Sequence, residues 1–146
     1  MTGAGPDLDA IRRALALGPA SSARQRTVDI TTTGARTGRP RRIETWFYRF
    51  EDRVHLSGLP GRRDWLANLA AHPRLTFHLK HGVHADLPAT ARIITEERER
   101  RRAFEHFVAD LNQPHDPARI GRPTSVAEWL AGSPLAEVVF DDPELS

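Results

Sequence analysis

The chain contains no cysteine, a single tyrosine (Tyr48) and a single lysine (Lys80), and its apolar runs are only a few residues long. The missing cysteine excludes disulfides, thiolate catalysis, thiolate zinc sites and iron–sulfur clusters held by cysteine. Any redox activity must therefore be borrowed from an organic cofactor. The short apolar runs exclude an integral membrane helix. Asp7, Asp9, Arg12 and Arg13 interrupt the N-terminus where a signal peptide needs uninterrupted apolar residues, so export is not expected and a cytoplasmic location is. With 146 residues, the chain is the size of one domain, enough to bury roughly 70% of its unfolded surface.

What is present is charge of one kind. The formal net charge is only +2, but apart from Lys80 the basic side chains are all arginine. Arginine presents a planar fork of donors suited to phosphate and carboxylate. Four of these arginines, Arg36, Arg39, Arg41 and Arg42, fall in the run Thr31-Thr32-Thr33-Gly34-Ala35-Arg36-Thr37-Gly38-Arg39-Pro40-Arg41-Arg42, and no acidic residue interrupts it. The run predicts an anion cradle: backbone N–H groups opened by Gly34 and Gly38, hydroxyls from the threonines, and guanidinium forks. It is not a Walker loop, and no G-x-G-x-x-G joins a strand to a helix. A solvated basic hairpin is an alternative. Gly38-Arg39-Pro40 is also the centre of the AT-hook, a minor-groove DNA motif, but Thr37 replaces its preceding arginine and the flanks favour strands over disorder. No nucleic-acid partner is therefore expected.

The periodicity predicts a helix over residues 7–17, a linker over 20–25 and a strand over 26–33, in which Val28, Ile30 and Thr32 face inward. Residues 1–25 are read as an N-terminal helix and linker, and 26–146 as the principal unit of a single domain. An aromatic strand over 43–50 turns at Glu51-Asp52 into Val54-His55-Leu56. Residues 62–71 place Trp65, Leu66, Leu69 and Ala70 on one helical face. Leu75, Phe77 and Leu79 alternate into a strand, and a further strand over 89–94 completes a second hairpin. Thr95 is expected to cap a helix with Phe104, Phe107, Val108 and Leu111 on its buried stripe. Ser125 with Glu128 starts a short helix over 126–131, and residues 135–140 form a last strand. Strands in hairpins with helices inserted between them predict an α+β, antiparallel barrel.

Other clusters point to less. His78, His81 and His84 recur every third residue, but they straddle a turn and read as exposed hairpin histidines, with no metal site expected. The Glu and Arg residues of 96–105 read as a salt-bridged outer helix face. Ser57 lacks a nucleophile elbow, so hydrolysis has no support.

Two motifs taken in order carry a resemblance. Thr31-Thr32-Thr33-Gly34 with Arg36-Thr37-Gly38-Arg39-Pro40-Arg41, then Trp46-Phe47, Ser57-Gly58 and the Trp-x-x-Asn-Leu signature at Trp65 to Leu69, resemble the deazaflavin-dependent nitroreductase family of actinobacteria. The likeness spans residues 27–94. It implies a six-stranded split β-barrel with short flanking helices, usually a homodimer, that binds the reduced deazaflavin coenzyme factor 420 or, as an alternative, FMN. Hydride transfer to a small electron-poor acceptor such as a quinone, enone or nitroaromatic is the implied chemistry. Thr33, Gly34, Arg36, Thr37, Gly38, Arg39 and Arg41 would hold the coenzyme's phosphate and acidic tail. Ser57 and Gly58 would approach its ring or linker, and Trp65 and Asn68 would flank the pocket; no residue is assigned a catalytic role.

Two departures stand out. Ala35-Arg36 occupies the place where the family commonly has Arg-Lys, and residues 114–131 lack the tyrosines that line the substrate in the family's nitroreductases. A non-catalytic carrier of flavin, haem or lipid on the same fold is the alternative these departures raise.

Overall fold

A computed structural model describes residues 7–145. The chain opens with α1 (Leu8–Leu15) and α2 (Ala23–Arg26), followed by β1 (Thr27–Thr33), β2 (Pro40–Phe50) and β3 (Arg53–Ser57). Then come α3 (Asp64–Ala71), β4 (Arg74–Leu79), β5 (Ala85–Ile93), α4 (Glu97–Leu111), α5 (Val126–Gly132) and β6 (Leu135–Phe140). The six strands close a barrel in the order β1-β2-β3-β6-β5-β4, with β4 returning to β1, and every neighbouring pair is antiparallel. This is the antiparallel α+β barrel that the hairpin order predicted, in the six-stranded split form that the resemblance implied.

Alternation builds the barrel interior. Val28, Ile30 and Thr32 of β1 point inward and are buried. Phe77 meets Phe47 and Phe140 edge-on, with ring centroids 5.3 Å apart in each case. Ile11 and Leu15 of α1 belong to the same apolar cluster, so the N-terminal helix packs onto the barrel core. A second cluster lies outside the wall, where Tyr48 of β2 packs against Phe107 of α4 and Trp129 of α5. The aromatic run of β2 therefore serves two cores: Phe47 faces in and Tyr48 faces out. Glu51 and Asp52 turn the chain between β2 and β3 with φ of 51° and 59°, the left-handed pair a two-residue hairpin needs.

Several local expectations are corrected. The expected linker contains α2, because Ser22 and Gln25 form a reciprocal capping box. The cap of α4 is Glu96 and not Thr95, since its carboxylate accepts from the Arg98 and Glu99 N–H groups. Ala70 is exposed, leaving Trp65 and Leu69 as the buried face of α3. Arg100 leaves the outer face of α4, donating to the Ser133 carbonyl at 2.9 Å and stacking over Phe104. His78 is not an exposed hairpin histidine. It is buried, with Nε2 2.7 Å from Thr31 Oγ1 and Nδ1 2.6 Å from Oδ1 of Asp86 directly across the β4–β5 ladder. That hydrogen bond holds the Asp86 carboxyl below its usual range.

His55 on β3 is buried too, and its Nδ1–H donates to the Arg53 carbonyl at 3.1 Å. Burial pushes its pKa below the ordinary 6.5, although the Arg53 bond and the Glu137 charge oppose the shift. The unfolded chain therefore takes up a proton on falling through pH 6.5 that the folded chain does not. Folding stability should be fully present above that pH and decline below it. Urea unfolding between about pH 5 and 7 checks this, and His55→Gln should flatten the slope more than His81→Gln, since His81 is shifted the same way but is only half-buried.

Candidate functional site

The hairpin between β1 and β2 is closed by its own backbone. Gly34 N–H donates to the Arg39 carbonyl at 2.8 Å, Gly38 N–H to the Gly34 carbonyl at 2.9 Å, and Arg39 N–H to Thr37 Oγ1 at 3.2 Å. The expectation that the two glycines open N–H groups to a ligand is therefore corrected, because both are spent inside the loop. Their role is geometric. Gly38 has φ of +68°, and a Cβ on Gly34 would stand 2.6 Å from Thr37 Oγ1.

Asn68 of α3 fastens this loop to the barrel. Its Oδ1 accepts from Ala35 N–H at 2.9 Å and its Nδ2 donates to Thr32 Oγ1 at 3.1 Å. That explains why asparagine stands three residues after Trp65, one helical turn on, where it reaches β1 while Trp65 and Leu69 enter the core. Each bond contributes about 1 kcal/mol. Asn68→Ala should lower unfolding stability by about 1–2 kcal/mol, measured by urea denaturation.

Between hairpin and helix lies a groove of about 410 Å³, with Gly34, Arg36, Thr37 and Arg41 on one side and Arg62, Trp65 and Asn68 on the other. Among the arginines of the run, Arg42 has left the cluster: alternation turns it away from Arg41, and its Nε donates to Asp29 at 3.0 Å. Arg36, Arg39 and Arg41 are exposed and have no carboxylate partner among the described residues. Asp64 is the acidic residue lining the groove, against Arg36, Arg41 and Arg62. Its surroundings are net cationic. Trp65 is buried with its indole Nε1 unpartnered, as is the hydroxyl of Ser133 elsewhere.

Of the residues expected at the site, Gly34, Arg36, Thr37, Arg41, Trp65 and Asn68 line this groove, whereas Thr33, Gly38 and Arg39 do not. Ser57 and Gly58 line a second groove of about 280 Å³ with Trp46, Tyr48, Leu59 and Arg63. The Ser57 hydroxyl is buried and donates to the Pro134 carbonyl at 2.6 Å, so its proton is already committed. Sequence reasoning missed Ile43, Arg62 and Asp64 in the first groove, whereas Thr32, one of the threonines expected to offer a hydroxyl, does line it. Strand alternation already placed Thr32, and not Thr33, on the inner face. The two grooves share β2 and the loop before α3 through alternate residues: Ile43 and Arg62 line one, Glu44 and Arg63 the other. Pro40 pairs with Thr33, so Gly38-Arg39-Pro40 is folded into the barrel hairpin and is not the extended arm of a minor-groove reader.

The profile of the F420H(2)-dependent quinone reductase family matches residues 18–126, which include both loops, α3 and both grooves' linings. The chain belongs to that family. Membership in the F420H(2)-dependent quinone reductases makes the chain an oxidoreductase of a family in which reduced F420 passes a hydride to a quinone-like acceptor. Solved structures share the fold. The conserved hypothetical protein Rv2991 of Mycobacterium tuberculosis is 18% identical with a TM-score of 0.65, over 93% of this chain and 81% of its own. An FAD-binding protein of Mesorhizobium loti is 12% identical with a TM-score of 0.59, over 94% and 91%. A protein described as an F420 reductase is 13% identical with a TM-score of 0.54, over 78% and 85%. None of the curated proteins matches the chain at a significant level. No helix among the described residues is long and apolar enough to cross a membrane.

Proposed function

We propose that this chain binds reduced F420 with its acidic part in the arginine groove and passes its hydride to a flat, electron-poor acceptor, a quinone, enone or nitroaromatic, held along the second groove. The observation that carries this reading is the first groove itself. Arginines without carboxylate partners line a concavity braced by the asparagine of the Trp-x-x-Asn-Leu signature. An excess of exposed, unpaired guanidinium groups around a groove suits a phosphate and carboxylates.

Reduced F420 would supply the hydride, and the chain supplies position, charge and exclusion of water. Arg36 and Arg41 neutralise the acidic groups, while Asn68 holds the hairpin that carries Arg36. The second groove is mostly apolar, and half-buried Trp46 beside Leu59 offers a flat ring a dry surface. Tyr48 lines it as a neutral phenol, because burial pushes its pKa well above the ordinary 10.0. Ser57 acts here through the shape of its backbone and a remaining lone pair. A homodimer acting on a small molecule in the cytoplasm completes the proposal, with residues 26–146 carrying the site and 1–25 as its N-terminal extension; residues 1–6 lie outside the described residues.

Titrating F420 into the purified protein, followed by the coenzyme's fluorescence, tests the reading. Saturable binding at micromolar coenzyme, together with quinone-dependent oxidation of the reduced form, is expected. Undetectable binding at high micromolar F420, or a flavin or haem spectrum on the protein as purified, would overturn it in favour of a carrier.

A further inference from the structure

Arg62 and Arg63 are adjacent in the loop before α3, yet their surroundings differ. The Arg63 guanidinium is fixed: Nη2 donates to the Leu59 carbonyl at 2.8 Å. A Cβ on Gly58 would lie 2.9 Å from Arg63 Nη2, and one on Gly61 would lie 2.7 Å from Nη1. Arg63 thus occupies the space that two missing side chains leave, and the loop is wrapped around it. Gly61 N–H donates to the Gly132 carbonyl at 3.0 Å, which pins the same loop to the end of α5.

Arg62 stands on this fixed ledge. It is exposed, its guanidinium has no hydrogen bond or ion pair among the described residues, and it lines the groove with Arg36, Arg41 and Ala35. A rigid backbone that displays one more free cation beside two others raises mutual repulsion, which an anion between them would relieve. Ala35, in the same lining, is where the resembled family commonly carries a cation.

We propose that Arg62 is a ligand-binding residue that supplies, from the loop before α3, the cation missing at Ala35. The acidic group of the ligand is then held between two loops and not by the β1–β2 hairpin alone. This rests on the assignment of the groove to F420.

The test is F420 titration into the wild type, Arg62→Ala, Arg101→Ala and the double variant Ala35→Arg with Arg62→Ala. Arg62→Ala should weaken binding by about 10–100-fold and flatten its salt dependence, as the loss of one charge-assisted contact does. Arg101, paired with Glu97 on the exposed face of α4, should have no effect. The double variant should regain most of the lost affinity. Binding by Arg62→Ala within about twofold of wild type, or a folded double variant that regains nothing, would overturn the proposal. Inorganic pyrophosphate separates this failure from that of the function. If the wild type ignores F420 but pyrophosphate raises its Tm in an Arg62-dependent way, the coenzyme assignment falls and the anion role of Arg62 stands. If neither probe binds, both fall.

Discussion

Replacing Arg36 and Arg41 together by alanine should weaken F420 binding by at least about 100-fold, while Arg101→Ala leaves it within about twofold. All three are exposed arginines, so the contrast isolates position from charge. Arg36 and Arg41 line a groove with Asp64 as its acidic member, and neither has a carboxylate partner among the described residues. Arg101 is already engaged with Glu97 at 3.2 Å in an i,i+4 pair, where losing it costs a few tenths of a kcal/mol. A charge-assisted contact to an acidic ligand contributes about 1.5–3 kcal/mol, so losing two removes at least two decades of affinity. Fluorescence titration at two ionic strengths reads this directly, and the double variant should also show the weaker salt dependence. Equal losses in both variants would mean that the ligand responds to net charge and not to this groove.

The second large effect is on stability and comes from the opposite side of β2. Trp129 of α5 is fully buried, meets Tyr48 edge-on at 5.9 Å and Phe104 at 5.6 Å, and donates its indole N–H to Thr124 Oγ1 at 2.8 Å. Trp129→Ala should cost about 3–5 kcal/mol in urea unfolding. The helix it anchors ends at Gly132, whose carbonyl receives the Gly61 N–H. Loosening α5 therefore also releases the loop that carries Arg62. Trp129→Phe, which keeps most of the bulk and loses the hydrogen bond, should cost about 1–3 kcal/mol and leave that loop in place.

Much of this architecture was legible because side-chain periodicity records which face is buried. Val28, Ile30 and Thr32 alternate cleanly because β1 faces one core, and Leu135–Phe140 is bounded as the sequence predicts. Legibility ended where partners are distant in sequence. Asp86 is eight residues from His78, and only the register of the hairpin shows that they face each other. Arg62 and Arg63 are indistinguishable as letters; two glycines around one of them, and a groove beside the other, separate them. The glycines of the arginine run were recognisable as a turn, but not as one whose N–H groups are already paired with Arg39 and Gly34 carbonyls. At the site, the Trp-x-x-Asn-Leu motif was informative because Asn68 performs a fixed task, joining Ala35 to Thr32, that few other side chains could.

The return of β4 to β1 has a bearing on assembly. In a sheet with free margins, a second molecule can add a strand, and its backbone supplies the adhesion whatever its side chains are. Among the described residues every strand has a neighbour on both sides, so they offer no such template. Recognition of another copy falls to side chains on helices, loops and outward strand faces, where single substitutions can strengthen or abolish it. Oligomeric state in this barrel is therefore a property of surface residues that can change while the fold and the arginine groove stay as they are.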